Sequence, residues 1–387
     1  MPHAGSAATT QRATHAEINL ASFRHNLNLV RSALRPGVKT MAVVKADAYG
    51  HGALPCSKAA LDAGADWLGV GILQEGLELR QHGIDAPVLV LGSVFPHEID
   101  GLIRGGLSTI LSDYRLAQAL SRQAARAGKT VGVHIKVDTG MGRLGVLPED
   151  FLCLVERVLE RKNLRIEAVS THFSSADEDD PEFTLSQLSR FNRALEQLRA
   201  AGVPVPLLHC ANSSALIKFP QTWFDMVRPG LVLYGALPSP KLKPHLKNLA
   251  GGGELLPVMQ WKSRIIQINR LPKGSCLSYG KNHVVSRDSL IATLPAGYAD
   301  GLSRNLSGKM NVLIRGRKAR QVGTICMDMC LIDVTDVPEA QVGDEAVILG
   351  RQGQEAISAE ELAQQNGTVP YEILCAVSKR VPRVYLP

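Results

Sequence analysis

No apolar run in this chain approaches the ~18 consecutive residues a membrane-spanning helix needs, which excludes a helical membrane protein. The first fifteen residues, MPHAGSAATTQRATH, contain no hydrophobic segment, so they read as a flexible tail rather than an export leader, and a cytoplasmic location is expected. The seven cysteines are odd in number and never form a CxxC pair. That spacing argues against a disulfide framework or a zinc knuckle, and no metal site is expected. Cys326 and Cys330, four residues apart, read as strand or core residues in a reducing compartment. Lys and Arg number 43 against 36 Asp and Glu, a net charge of +7, yet the basic residues are scattered and no basic tract is interleaved with aromatics. A nucleic-acid partner is therefore not expected, and the charge suits small anionic ligands. No internal repeat is evident. What remains is an ordinary globular composition, 45% hydrophobic and 20% charged, spread over 387 residues, enough for two or three units with a sizeable core.

The segment AEINL (16–20) reads as a strand, and after it Phe23, Leu27, Val30 and Leu34 recur at helical spacing until Pro36-Gly37 stops the helix. Eight short runs rich in Val, Ile and Leu follow, at 40–46, 67–71, 87–92, 108–112, 131–137, 166–173, 207–212 and 227–235. Such runs fit parallel strands buried on both faces, and the stretches between them are long enough for crossover helices. Eight strand-then-helix units predict an α/β fold, a (β/α)8 TIM-like barrel, with an open doubly wound sheet as the alternative. Residues 238–253, rich in Pro, Gly and Lys, read as a linker, and Gly251-Gly252-Gly253 as part of it rather than a phosphate cradle. Beyond it the pattern turns to period two, around Arg264–Ile268 and again over 312–334, which predicts a mainly antiparallel β domain. Ser358, Glu361 and Gly367 mark one capped helix near its end. The expected organisation is a tail over 1–15, a barrel over 16–245 whose first strand could pack with the second domain, and a β-rich domain over 246–387.

In such a barrel, polar residues at the carboxyl ends of the strands build the active site. Here the first run ends in Lys45, the fifth in Lys136 and the loop to Arg143, the sixth in His172, the seventh in Asn212-Ser213, and the eighth carries Arg228. A partly desolvated lysine amine can form a Schiff base, so pyridoxal 5'-phosphate is the cofactor to test against the rest. Its phosphate needs backbone N–H groups, which 212–214 and 228–231 can offer; His172 could lie against its ring and Arg228 could reach the ring nitrogen. Taken singly, a strand-end lysine is more often solvated and a lone histidine more often a core residue. Their joint placement carries the functional reading.

These residues sit in motifs that resemble the alanine racemase family, from about Ala16 to the last residues. The motifs are VVKADAYGHG (43–52), KVDTGMGRLG (136–145), STHFSSAD (170–177), ANSS (211–214), RPGLVLYG (228–235), LSYG (277–280), GYADG (297–301), ICMDM (325–329) and YEILCAVSKRVPRVY (371–385). The resemblance implies a cytoplasmic enzyme that interconverts L- and D-alanine with pyridoxal phosphate held on Lys45, serving peptidoglycan synthesis or alanine catabolism. It implies a homodimer in which the second domain supplies Tyr279 and Met327 to the partner's barrel. Racemisation by inversion asks for a base on each face, and the resemblance assigns these to Lys45 and the partner subunit's Tyr279. A free phenol is a weak base at neutral pH, so that role asks for positive charge close by. By the same resemblance Tyr49, Asn212, Ser213, Gly230, Leu231 and Tyr371 bind the cofactor phosphate region, His172 the ring and Arg228 its nitrogen. Arg143, the backbone of Met327, and Asp328 are implied at the substrate carboxylate, Tyr298 and Tyr371 in the access channel, and Lys136 at a position that carries a carbamate in relatives. Leu231 stands where isoleucine is common, and KNHVVSRDS (281–289) is less typical, which bears on substrate preference. A broad-specificity racemase is the nearest alternative. A decarboxylase of basic amino acids would want an acidic partner for the ring nitrogen, against which Arg228 and Tyr279 speak, and a non-catalytic cofactor carrier would not need Tyr279.

Overall fold

The computed structural model describes residues 12–249 and 253–387; most of the expected tail, and Gly251-Gly252 of the expected linker, lie outside them. The chain starts with strand β1 (His15–Asn19) and a helix, Leu20–Ala33, whose N-cap Asn19 accepts the Ser22 N–H and whose Phe23, Leu27 and Val30 are fully buried. Eight parallel strands follow: β2 (Lys39–Val43), β3 (Trp67–Val70), β4 (Val88–Val90), β5 (Ser108–Leu111), β6 (Val131–Lys136), β7 (Leu164–Ser170), β8 (Leu207–His209) and β9 (Met226–Val227). Each falls inside one of the apolar runs or overlaps it. They pair in the order β8-β7-β6-β5-β4-β3-β2-β9. Between β8 and β9 no ladder forms, but the Asp225 N–H donates to the Leu208 carbonyl (3.1 Å) and the Arg228 N–H to the Ala211 carbonyl (2.9 Å). Those two bonds close the ring, so the sheet is a nearly closed barrel and not an open, doubly wound one.

The regular strand-then-helix count breaks at one place. After β9 the chain makes a 3-10 turn, Leu231–Tyr234, instead of a crossover helix. The helix Leu20–Ala33 covers that turn from the other end of the sequence: the Phe23 ring lies 5.4 Å from that of Tyr234, and the Asn26 amide donates to the Leu233 carbonyl (3.1 Å). Inside the barrel, Met41, Trp67, Leu89, Ile110 and Met226 form a buried layer of their own, separate from the larger core between strands and helices.

The supposed linker is partly structured. Pro240–Asn248 forms a 3-10 helix that starts at a proline, with Leu242 fully buried and the Asn248 amide donating to the Ile217 carbonyl (2.9 Å). Its Pro and Lys content disguised a segment that packs. The second domain then adds β10 (Met259–Arg264), β11 (Gln267–Leu271), a small β12 (Cys276–Leu277) and β13 (His283–Val284) hairpin, β14 (Ser289–Leu294), β15 (Asn311–Ile314), β16 (Arg317–Val322), β17 (Cys330–Asp333), β18 (Glu345–Gln352), β19 (Glu355–Ile357) and β20 (Arg383–Leu386). The main sheet runs β11-β14-β17-β16-β15-β18-β10-β1-β20. Every pair in it is antiparallel except β1 with β20. The first strand therefore belongs to the second sheet and ties the two domains together. The helix Ala359–Asn366 is capped as its sequence predicts, Ser358 Oγ accepting the Glu361 N–H (3.1 Å) and Gly367 closing it at φ +71°.

Candidate active site

At the carboxyl end of the barrel strands lies a cavity of about 380 Å3. Lys45, Tyr49, His172, Asn212, Ser213, Arg228, Gly230, Leu231 and Tyr371 all line it, together with Lys136 and Arg143. The strand ends converge there because each buried strand stops at the same level of the ring. Tyr371 arrives separately, on the helix Pro370–Ala376 of the second domain.

Lys45 leaves β2 into a backbone turn that its sequence gives no hint of. Ala46, Asp47, Ala48 and Tyr49 all have φ of 52–53°, a left-handed turn built without glycine. Left-handed helix costs an L-residue roughly 1–2 kcal/mol, so the surroundings must hold the turn in place. They do so through Glu75, whose carboxylate accepts the Ala46 and Gly71 N–H groups (2.6 Å each), and through Asp47, which accepts the Ala53 N–H (2.7 Å). The Tyr49 ring is lodged between those of Tyr234 (4.9 Å) and Tyr371 (5.8 Å). The turn aims Lys45 into the cavity and Tyr49 over Gly230. Sequence reasoning missed Glu75 because its role depends on N–H groups that follow two different strands, Ala46 after β2 and Gly71 after β3. Glu75→Ala frees both donors and is expected to lower stability by about 1–3 kcal/mol, read as a shift of the urea midpoint at unchanged slope.

The cavity is strongly cationic. Lys45, Lys136, Arg143 and Arg228 line it, and among the described residues no acidic side chain does. Burial, and after it the charge of Arg143, lowers the pKa of Lys45, so its amine loses its proton more readily than a free lysine. Lys136 is only 7% exposed, and burial followed by the charges of Arg228 and Arg143 brings it down to about 8. Arg228 is itself buried. It donates to the carbonyls of Thr171 (2.9 Å) and Cys210 (3.1 Å) and to the ring nitrogens His209 Nδ1 (2.7 Å) and His172 Nδ1 (3.2 Å). Burial holds the pKa of His172 well below the ordinary imidazole value, with Arg228 adding to it, so this ring is neutral where it lines the cavity.

The opposite wall is a backbone cradle. Asn212 caps the short helix Ser213–Lys218 by accepting the Ala215 N–H (2.9 Å), and Ser213 Oγ accepts the Gly230 N–H (2.9 Å). A Cβ at residue 230 would lie 2.6 Å from Tyr49 Oη, so glycine is what lets the tyrosine and the backbone share that space. Pyridoxal phosphate fits this donor set. It is anionic where the wall offers N–H and hydroxyl groups, planar where His172 stands, and carries an aldehyde suited to a lysine amine whose burial favours its neutral form.

The remaining residues singled out in the sequence do not reach this cavity from the same chain. Tyr279, Met327 and Tyr298 sit on the second domain with 72%, 53% and 43% of their surface exposed. Asp328 accepts from Arg380 Nη2 (2.7 Å). Among the described residues no group of metal-ligating side chains is present, and no helix is long and apolar enough to cross a membrane.

Comparison with known proteins agrees across both domains. The family model for the alanine racemase N-terminal domain matches residues 18–238 and that for the C-terminal domain residues 258–385. The alanine racemase of Halothermothrix orenii is 45% identical over 97% of this chain and 97% of its own. Among solved structures, the alanine racemase of the D-cycloserine producer Streptomyces lavendulae matches at a TM-score of 0.91 and 37% identity, covering 98% of each chain. That of Bacillus anthracis with bound L-Ala-P matches at 0.91 and 34% identity, covering 98% of this chain and 96% of the other.

Proposed function

The chain belongs to the alanine racemase family, and from that membership we propose that it interconverts L- and D-alanine with pyridoxal 5'-phosphate seated on Lys45. The observation that carries this is a cavity in which a half-buried lysine, an N–H and hydroxyl cradle and a buried arginine face one another with no acidic side chain among the described residues that line it. When bound, the cofactor supplies an electron-withdrawing ring that acidifies the α-C–H bond of the amino acid.

The chain's own groups then divide the work. Ser213 and the backbone around Gly230 and Leu231 hold the phosphate, with Tyr49 and Tyr371 closing over it. Arg143 takes the substrate carboxylate, and Lys136, whose amine is half neutral near pH 8, can add carbon dioxide at Nζ with loss of a proton, becoming an anion that orients Arg143. Lys45 Nζ exchanges the α-proton on one face. Tyr279 Oη of the partner subunit exchanges it on the other, so a proton removed from one side can be returned to the opposite one. The exposure of Tyr279, Met327 and Tyr298 on one domain supports a homodimer that covers them, with the Met327 backbone and Asp328 at the substrate end. Because the access residues Tyr298 and Tyr371 are bulky, alanine is favoured over longer side chains.

Arg228 sets the fate of the reaction. A guanidinium keeps its proton, and burial lowers Arg228 only to about 10, so it donates to the ring nitrogen without surrendering a proton and limits how far the ring withdraws electrons. Arg228→Glu is expected to raise the ratio of transamination to racemisation, measured as pyruvate formed per D-alanine formed. An unchanged ratio would remove Arg228 from that role.

The function itself is tested by incubating the protein, loaded with pyridoxal phosphate, with L-alanine in D2O. Loss of circular dichroism together with deuterium at the α-carbon is expected, with L-lysine, L-serine and L-arginine much slower. Comparable rates on the longer substrates would establish a broad racemase, and no exchange on any of them would overturn the reading.

A further inference from the structure

Two fully buried histidines inside the barrel, His134 on β6 and His209 on β8, connect Arg228 to a carboxylate on β7. The direction of each link follows from one fact: a guanidinium can only donate. Arg228 Nη1 lies 2.7 Å from His209 Nδ1, so that nitrogen accepts. A neutral imidazole that accepts at Nδ1 carries its proton on Nε2, and His209 Nε2 therefore donates to His134 Nδ1, 2.9 Å away. By the same reasoning His134 holds its proton on Nε2. That buried nitrogen has no closer partner among the described residues than Glu167 Oε2, which it faces at 3.6 Å. Burial lowers the pKa of both rings, which keeps them neutral, as this chain of donors requires.

The backbone is shaped to bring the carboxylate there. Val133 pairs with Ile166 but His134 pairs with Ala168, so Glu167 is an extra residue in β7, a bulge between parallel strands. Bulges of this kind are uncommon in parallel pairs and re-aim the bulged side chain. On the neighbouring strand, a Cβ at Gly132 would collide with the Glu167 carboxylate, so only glycine leaves room for it. Ser108 Oγ donates to Oε2 at 2.6 Å, and Arg165 pairs with Oε1. Burial alone would raise the pKa of Glu167, but its contacts with His134, Ser108 and Arg165 outweigh it and hold the group down to about 2.

We propose that Glu167 is a positioning residue for the racemase reaction: its carboxylate fixes the tautomers of His134 and His209 and thereby holds the Arg228 guanidinium in place at the cofactor ring nitrogen. This rests on the place given to Arg228 above. Without an acceptor at Glu167, the His134 Nε2–H is a buried donor facing nothing. Moving the proton of each imidazole to Nδ1 relieves it. His209 Nδ1–H then confronts the Arg228 N–H, donor against donor, and the guanidinium must turn away.

The test uses holoenzyme labelled with 15N-histidine, in which solid-state 15N spectra report which nitrogen of each ring is protonated. Wild type is expected to show His134 and His209 protonated at Nε2. Glu167→Leu is expected to move the His209 proton to Nδ1 and to lower kcat on the order of 10- to 100-fold with little change in KM, the size of effect a misplaced group produces. Glu167→Gln, which keeps an oxygen acceptor, is expected to retain the wild-type tautomers. A His209 proton on Nδ1 in wild type overturns the proposal, as does a Glu167→Leu variant with unchanged tautomers and kcat. Should Glu167→Leu fail to fold, the wild-type spectrum decides. Wild-type tautomers as expected in a protein that does not racemise alanine would instead count against the functional reading and leave the relay standing.

Discussion

Replacing Lys45 by alanine is expected to lower racemisation by at least about 10^4-fold, the upper range for a positioned acid–base group, because in the function proposed above the change would remove a proton-transfer group and the cofactor's covalent anchor together. Folding should be little affected. Lys45 is half-buried at the start of the left-handed turn, which is held by Glu75, Asp47 and the packing of Tyr49 and not by the lysine amine. Thermal unfolding of Lys45→Ala apoprotein should therefore match that of wild-type apoprotein, while absorbance of protein-bound cofactor is lost. Lys45→Arg separates charge from chemistry: it keeps a cation in the cavity but offers no amine that can give up its proton and form a Schiff base, and it should be as inactive as the alanine variant. Substantial activity in either variant would remove Lys45 from the reaction.

The second large effect is expected from a single oxygen atom outside the cavity of its own chain. Tyr279→Phe changes a side chain that is 72% exposed on the second domain, so in an isolated subunit it should be silent. If the phenol completes the partner's cavity, racemisation falls by about 10^2- to 10^4-fold, the range for losing one positioned acid–base group. The loss should be one-sided. Exchange of the α-proton with solvent continues from the enantiomer that presents it to Lys45 and nearly stops from the other, while cofactor binding and absorbance stay as in wild type. Equal losses from both enantiomers would mean that the tyrosine supports the cavity without moving a proton.

Much of the fold and the cavity is legible in the sequence for a definite physical reason. Parallel strands buried on both faces are mostly apolar, so β6, buried at all six positions, stands out as a run despite His134, and the polar residues that end such runs must lie at one mouth of the barrel. That is why Lys45, Lys136, His172, Asn212 and Arg228 group together from the order of residues alone. Features that depend on pairing across distance are not legible in this way. From the sequence the first strand is open to packing with the second domain, but nothing in HAEIN says that it lies between β10 and β20, because its alternating burial fits any half-exposed strand. Nothing in KADAY announces four left-handed residues, since alanine ordinarily favours a right-handed turn. Glu75 and Glu167 each look like a surface carboxylate, one on a helix and one in the middle of a strand. Their roles come from the Ala46 and Gly71 N–H groups in one case and from a bulge opposite Gly132 in the other. The Pro- and Lys-rich stretch after Ser239 misleads in the opposite direction, since composition suggests a free connection where Leu242 is buried.

The division of one active site between two subunits is the central claim, and it is tested most directly with a purified heterodimer carrying Lys45→Ala in one subunit and Tyr279→Phe in the other. If the tyrosine acts in the partner's cavity, one of the two sites in this dimer has lost both groups and the other has lost neither, so activity is expected at about half that of the wild-type dimer. If lysine and tyrosine act within one chain, each site lacks one group, and activity no higher than that of the two parent homodimers would contradict the account.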